Sequence, residues 1–134
     1  VLIIDAHPLF RDFLKDKLTA GKIEVNIASE ERDAFTKMIT TLPNLIIMDR
    51  NETQEQISDF MQKKLSDPNT ASIPIIMTGP LIDKTLIGSL ARYGVFKYFT
   101  KPIKFDLFFD SIGSVLHLPV VMDSTPCVLD IHRK

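Results

Sequence analysis

Four short apolar runs in the chain each stop on a residue that can handle a phosphoryl group. Val1-Leu2-Ile3-Ile4 stops at Asp5, Leu45-Ile46-Ile47-Met48 at Asp49, Ile75-Ile76-Met77 at Thr78, and Phe96-Lys97-Tyr98-Phe99-Thr100 at Lys101-Pro102. Asp49 is the candidate nucleophile, because a carboxylate at a strand end in a crevice can attack phosphorus and carry the group as an acyl phosphate. An anion that attacks an anion needs positive charge nearby. Lys101 brings one fixed charge, and a hard divalent cation, usually Mg²⁺, would bring the rest through carboxylate and water oxygens. Asp5 is placed to hold that cation, directly or through water. Thr78 can donate its hydroxyl to a phosphoryl oxygen, and Gly79 adds no side chain that would block access. Pro102 can fix the backbone that aims Lys101, a cis peptide being one way to do so. Each residue alone has a plainer reading. A strand-end Asp more often caps a helix, a Thr before Gly is more often turn chemistry, and Lys-Pro is common in loops. The argument for chemistry is their coincidence at four strand ends in one short chain.

The elements that must position these residues follow from periodicity. The first strand is Val1 to Asp5. Pro8 suits the first turn of a helix, and Phe10, Phe13, Leu14 and Leu18 continue it as one apolar stripe that Gly21 ends. Ile23, Val25 and Ile27 alternate with polar residues as a half-buried second strand. Ser29 is a good N-cap for a second helix with a buried face of Ala34, Phe35, Met38 and Ile39, broken at Pro43-Asn44. The third strand, Leu45 to Asp49, is apolar on both faces. A third helix carries Ile57, Phe60, Met61 and Leu65. The fourth strand runs from Ile73 to Thr78, and a fourth helix carries Leu86, Ile87, Leu90 and Ala91, with Gly94 at its end. The fifth strand, Val95 to Phe99, has Lys97 in its middle, and the last helix carries Phe105, Phe108, Ile112, Val115 and Leu116.

Five strand-helix repeats imply an α/β fold, with a parallel sheet and helices on both faces. Fully apolar strands belong in the middle and mixed strands at the edges. Strands one, three and four are the apolar ones, so right-handed crossovers give the flavodoxin-like, doubly wound five-stranded order 2-1-3-4-5. The switch point then falls between strands one and three, with Asp5 and Asp49 flanking the crevice. Pro119 to Lys134 does not fit this unit and reads as a linker with the start of a further domain. The expected division is therefore 1–117 and 118–134.

Composition narrows the class. The chain has 134 residues, 45% hydrophobic and 25% charged, with a formal net charge of -1. One compact domain is expected, with no basic field for nucleic acid and no polybasic stretch for a membrane surface. No apolar run approaches the ~20 residues that cross a bilayer. The single cysteine, Cys127, leaves no internal disulfide and fits a reducing, cytoplasmic compartment. The chain opens at Val1 inside a strand-like run, which reads as a trimmed fragment.

With these residues in place, the chain resembles a receiver domain of a two-component response regulator, the CheY-like family, over residues 1 to about 117. Ile4-Asp5-Ala6-His7-Pro8-Leu9-Phe10-Arg11 resembles the first-strand acidic motif and the helix start after it. Leu45 to Asp49 resembles the phosphoacceptor strand, Ile73 to Gly79 the fourth strand with its hydroxyl residue, and Gly94 to Pro102 the last strand with its aromatic switch and Lys-Pro. The resemblance implies a phosphorelay switch. A histidine kinase, a phosphotransfer protein or a small phosphodonor would phosphorylate Asp49, with the receiver catalysing the transfer. Thr78 would then turn toward the phosphoryl group and Tyr98 would rotate inward behind it, although Tyr98 alone reads as an amphipathic edge residue. The fourth helix, fifth strand and fifth helix would present an altered surface to a partner or to a second copy. The implied Mg²⁺ ligands are Asp5, Asp49 and the backbone carbonyl of Asn51. The enzymatic activity implied is at most the domain's own phosphorylation and dephosphorylation.

Two departures matter. The family usually has two adjacent acidic residues after the first strand, whereas here the pair is Asp5-Ala6. Ala6 cannot ligate a cation, so Mg²⁺ affinity should fall, and Glu52 is a conceivable substitute. After Asp49 stands Arg50-Asn51-Glu52-Thr53-Gln54 in place of the usual Met-Pro turn. Arg50 can assist phosphate binding or pair with Asp49, but reads most simply as a solvated loop charge. These departures favour the alternative function, a phosphorylation-independent interaction module with the same fold. A covalent phosphatase of the haloacid dehalogenase type wants a second Asp two residues after the nucleophile, where Asn51 stands. A flavodoxin would need a Ser/Thr/Gly-rich loop after the first strand. His7 lies beside the crevice without a second His or Cys, which disfavours zinc. His117 reads as a helix C-terminal cap, and Cys127 has no activating neighbour.

Overall fold

The computed structural model describes residues 1–5, 7–29, 31–50, 54–82 and 84–116. Ten elements alternate strictly: β1 (Leu2–Ile4), α1 (Pro8–Ala20), β2 (Asn26–Ala28), α2 (Glu31–Thr41), β3 (Ile46–Asp49), α3 (Gln54–Ser66), β4 (Ile75–Gly79), α4 (Lys84–Arg92), β5 (Val95–Thr100) and α5 (Phe105–Leu116). The strands form one sheet in the order β2-β1-β3-β4-β5, and every neighbouring pair is parallel. The expected fold and strand order therefore hold. The expected tail from 118 to 134, with Cys127, and the cap residue His117 lie outside the described residues.

Successive strand side chains point to opposite faces, so each central strand feeds two cores. Leu2, Ile4, Ile46, Met48, Ile75 and Met77 pack with Ala34 and Met38 of α2, Phe60 and Met61 of α3 and Leu90 of α4. Ile3, Leu45, Ile47 and Ile76 pack with Leu14 and Leu18 of α1 and Phe108, Phe109 and Ile112 of α5. The central strands are apolar on both faces because both faces carry helices.

The β4–β5 register slips between Ile75 and Ile76. Ile75 pairs with Val95, but Ile76 pairs with Lys97, so Phe96 is the extra residue of a bulge and stands 51% exposed. The bulge resets the alternation. Val95 and Tyr98, three residues apart, both pack on the α4 side, while Phe99 joins the α1–α5 side. Without that extra residue Tyr98 would face the opposite way.

Several local expectations change. β1 and β2 are shorter than the apolar run from Val1 to Asp5 and the alternation from Ile23 to Ile27 implied. α2 begins at Glu31, two residues after Ser29. Ile39, Leu65 and Ile87, read as buried stripe residues, are each 41–43% exposed, and the side chain of Ile57 lies outside those described. In α3 the core position that Leu65 was expected to share is taken by Lys64, which is fully buried. Its stem packs inside and its ammonium donates to the Ala71 carbonyl at 3.0 Å, serving the loop that leads into β4. Gly21 does end α1, but with φ −88, and the left-handed residue is Lys22 at φ 65. At Gly94 the expectation holds, since its φ of 93 needs glycine.

Candidate functional site

The sheet register builds the site. Asp49 is paired with Thr78, and Gly79 with Thr100, so Lys101 emerges one residue past the end of β5. Backbone bonds extend this edge: Arg50 N–H donates to the Thr78 carbonyl at 2.7 Å, and Lys101 N–H to the Gly79 carbonyl at 2.8 Å. On the other side, Ile4 pairs with Met48, so Asp5 leaves β1 beside Asp49. Asp5, Asp49, Thr78 and Lys101 thus converge at the carboxyl edge of the sheet, at the β1/β3 switch point.

The two carboxylate oxygens of Asp49 have different surroundings. Oδ1 accepts from the Lys101 ammonium at 2.8 Å and from the Thr78 hydroxyl at 3.0 Å. Oδ2 is buried and has no hydrogen-bond partner among the described residues. The whole residue is 2% exposed. A buried carboxylate oxygen is costly unless a donor, a water or a cation meets it. Lys101 also lies 6.0 Å from the Phe10 ring centroid, and its peptide bond to Pro102 is cis.

Asp5 is 3% exposed. Its Oδ1 accepts from the His7 backbone N–H at 2.8 Å, an Asx-turn that leads into Pro8 at the start of α1. Arg11 donates to the Asp5 carbonyl at 3.2 Å and braces the turn from the next helical turn. Burial pushes the Asp5 carboxyl above the usual carboxylate range. The His7 N–H opposes that shift, Asp49 adds to it, and Lys101 opposes it.

His7 is closer to the chemistry than its position beside the crevice implied. Its Nδ1 lies 3.3 Å from Asp5 Oδ1 and 3.9 Å from Asp49 Oδ2. One ligand atom from each of Asp5, His7 and Asp49 falls within 4.8 Å of the others, so the residues present can hold a cation. The signal available in the sequence was Pro8, which fixes the helix start and so turns the preceding residue back over β1. The other expected ligands, the Asn51 carbonyl and Glu52, and the residue Ala6 itself lie outside the described residues.

Tyr98 donates its hydroxyl to the Pro80 carbonyl at 2.5 Å. Gly79 is what admits it. A Cβ there would meet the Tyr98 hydroxyl at 2.5 Å and the Arg50 Cβ at 2.9 Å. The space that Gly79 leaves open is thus taken by Tyr98 and Arg50. Arg50, read as a solvated loop charge, is half-buried in this corner. Burial raises the Tyr98 hydroxyl above its ordinary value, with Arg50 opposing and Asp49 adding.

No family model and no curated protein matches the chain. Solved structures do. The signal receiver domain of a DNA-binding response regulator (merR) from Colwellia psychrerythraea 34H is similar with TM-score 0.76 and 23% identity, over 87% of this chain and 96% of that one. A two-component response regulator from Clostridium difficile gives 0.75 and 20%, over 87% and 93%. The chemotaxis response regulator CheY4 of Vibrio cholerae gives 0.75 and 19%, over 85% and 95%. The chain therefore has the receiver-domain fold.

Proposed function

We propose that the domain is a phosphoacceptor switch of a two-component phosphorelay. The observation that carries this reading is the partition of the Asp49 carboxylate: Oδ1 is held by Lys101 and Thr78, and Oδ2 is buried with no hydrogen-bond partner among the described residues. In this reading Oδ1 attacks the phosphorus of a phosphohistidine on a kinase or phosphotransfer protein, or of a small acyl phosphate. The Oδ1–P bond forms as the bond to the donor nitrogen or oxygen breaks, and the leaving group keeps the electron pair. Lys101 and Thr78, already at Oδ1, pass to the phosphoryl oxygens as charge develops there, with no large reorganisation. A divalent cation on Oδ2 and Asp5 would neutralise the remaining charge. Two carboxylates and one ammonium leave one net negative charge for it, less than three carboxylates would.

The switch follows from the same contacts. When the Thr78 hydroxyl moves to the phosphoryl group, the neighbouring space reopens to Tyr98, which the bulge at Phe96 directs to the α4 side. The exposed Ile87 of α4 and Phe96 of β5 then lie on the surface that changes, the face offered to an output partner or a second copy. In this reading residues 1–117 are the signalling unit, acting in the cytoplasm, with 118–134 as a linker or the start of a further domain. Among the described residues no helix is long and apolar enough to cross a membrane.

The test is intact mass after incubation with acetyl phosphate and saturating Mg²⁺. A phosphoryl adduct on the wild type, absent from Asp49→Asn, is expected. No adduct on folded wild type would refute the reading and leave the phosphorylation-independent interaction module.

A further inference from the structure

We infer that His7 is a metal ligand, and that with Asp5 and Asp49 it makes a mixed nitrogen-oxygen site that prefers borderline divalent ions such as Co²⁺ or Zn²⁺ over Mg²⁺. The inference deepens the phosphoacceptor reading, since it concerns the cation of the same site.

The first support is spacing. Around a four-coordinate ion with ligand bonds of about 2.0–2.2 Å, neighbouring ligand atoms stand roughly 3.3–3.6 Å apart. His7 Nδ1 is 3.3 Å from Asp5 Oδ1 and 3.9 Å from Asp49 Oδ2, and the three residues together fall within 4.8 Å. The two His7 distances already match such a geometry to within a few tenths of an ångström, and a closure of the two carboxylates by about 1 Å completes it. The second support is independent. Asp49 is 2% exposed, and its Oδ2, the oxygen that faces His7, has no hydrogen-bond partner among the described residues. Lys101 and Thr78 both serve Oδ1, so among the described residues the nearest nitrogen to Oδ2 is the His7 imidazole at 3.9 Å.

The third support is the donor set. Mg²⁺ demands oxygen ligands in near-ideal octahedral geometry. Here Ala6 supplies no carboxylate, and the third side chain within reach is an imidazole. Imidazole suits Zn²⁺, Co²⁺ and neighbouring ions, and affinity for a nitrogen-containing site rises along that series. His7 is also held for the task. It is fixed between the Asx-turn at Asp5 and the first helical residue Pro8, its Nδ1 is turned to Asp5 Oδ1 at 3.3 Å, and its side chain is 58% exposed, which gives an ion a path in.

The experiment titrates the protein with Co²⁺ and with Mg²⁺, without any phosphodonor, and follows the visible absorption of bound Co²⁺ together with heat of binding. Wild type is expected to bind one Co²⁺ on the order of 100-fold more tightly than Mg²⁺. His7→Ala should weaken Co²⁺ binding by about 10–100-fold, change its visible spectrum, and leave Mg²⁺ binding unchanged. Asp5→Asn should weaken both ions. Circular dichroism confirms that the variants are folded. Co²⁺ affinity and spectrum indifferent to His7→Ala would overturn the proposal, because binding would then owe nothing to this imidazole. Mg²⁺ bound more tightly than Co²⁺ would also overturn it. The two readings fail separately: a phosphoryl adduct with no His7-dependent Co²⁺ site refutes only the metal proposal, and the reverse result refutes only the phosphoacceptor reading.

Discussion

Gly79→Ala should move the switch residue without touching the nucleophile. The added Cβ would stand 2.5 Å from the Tyr98 hydroxyl and 2.9 Å from the Arg50 Cβ, both too close to keep. The hydroxyl is at the end of a half-exposed side chain and can leave, whereas Arg50 Cβ is tied to the backbone that bonds Thr78. Leaving costs Tyr98 its bond to the Pro80 carbonyl, about 0.5–1.5 kcal/mol. Crowding against Arg50 adds to this, for a total of about 1–3 kcal/mol, offset by roughly 0.5–1 kcal/mol from the stiffer unfolded chain. Tyr98→Phe alone should cost about 1 kcal/mol for the lost hydrogen bond. In the Tyr98→Phe background, Gly79→Ala has no hydroxyl to evict. Its cost should then fall by about 1 kcal/mol, a coupling that urea denaturation of all four proteins resolves. Strict additivity would refute the claim that Gly79 exists to admit the tyrosine. That same result, an equal cost in both backgrounds, would place the whole strain on Arg50.

Asp5 should trade stability for function. Burial holds its folded carboxyl above the ordinary 3.8, so the folded state keeps that proton longer than the unfolded chain. Its contribution to stability therefore falls as pH rises from 3.8 through the folded value, and Asp5→Asn should be more stable than wild type at pH 7 in urea denaturation, with the gap closing in acid. Lys64 titrates at the other end. Its folded ammonium is depressed by burial below 10.5, so wild-type stability from this group should rise as pH climbs toward 10.5, and Lys64→Met should remove that component from the pH profile. Lys101→Met leaves Asp49 Oδ1 with Thr78 alone. It should slow phosphorylation by acetyl phosphate by about 10²-fold or more, while costing only about 1–2 kcal/mol of stability because Lys101 is 37% exposed.

The sheet and its order were legible because each central strand is a short apolar run and each run ends in a polar residue. The convergence of Asp5, Asp49, Thr78 and Lys101 was legible for the same reason, since parallel register carries strand ends to one edge. Packing detail was not. Lys64 lies inside because a neighbouring carbonyl needs a donor, which no periodicity records. The bulge at Phe96 was hidden because Val95, Phe96 and Tyr98 are all apolar enough to suit either face, and only the partner register decides between them. His7 read as a bystander because metal-ligand patterns are sought in repeated His and Cys, whereas its partners are two aspartates on separate strand ends.

The most direct test of the central claim is chemical trapping of the modified residue. The protein is phosphorylated with acetyl phosphate, reduced with borohydride and sequenced by tandem mass spectrometry. An acyl phosphate on Asp49 is reduced to homoserine at position 49 alone, and that is the predicted result. Reduction at another carboxylate such as Asp5, or none anywhere on folded protein, would contradict the account.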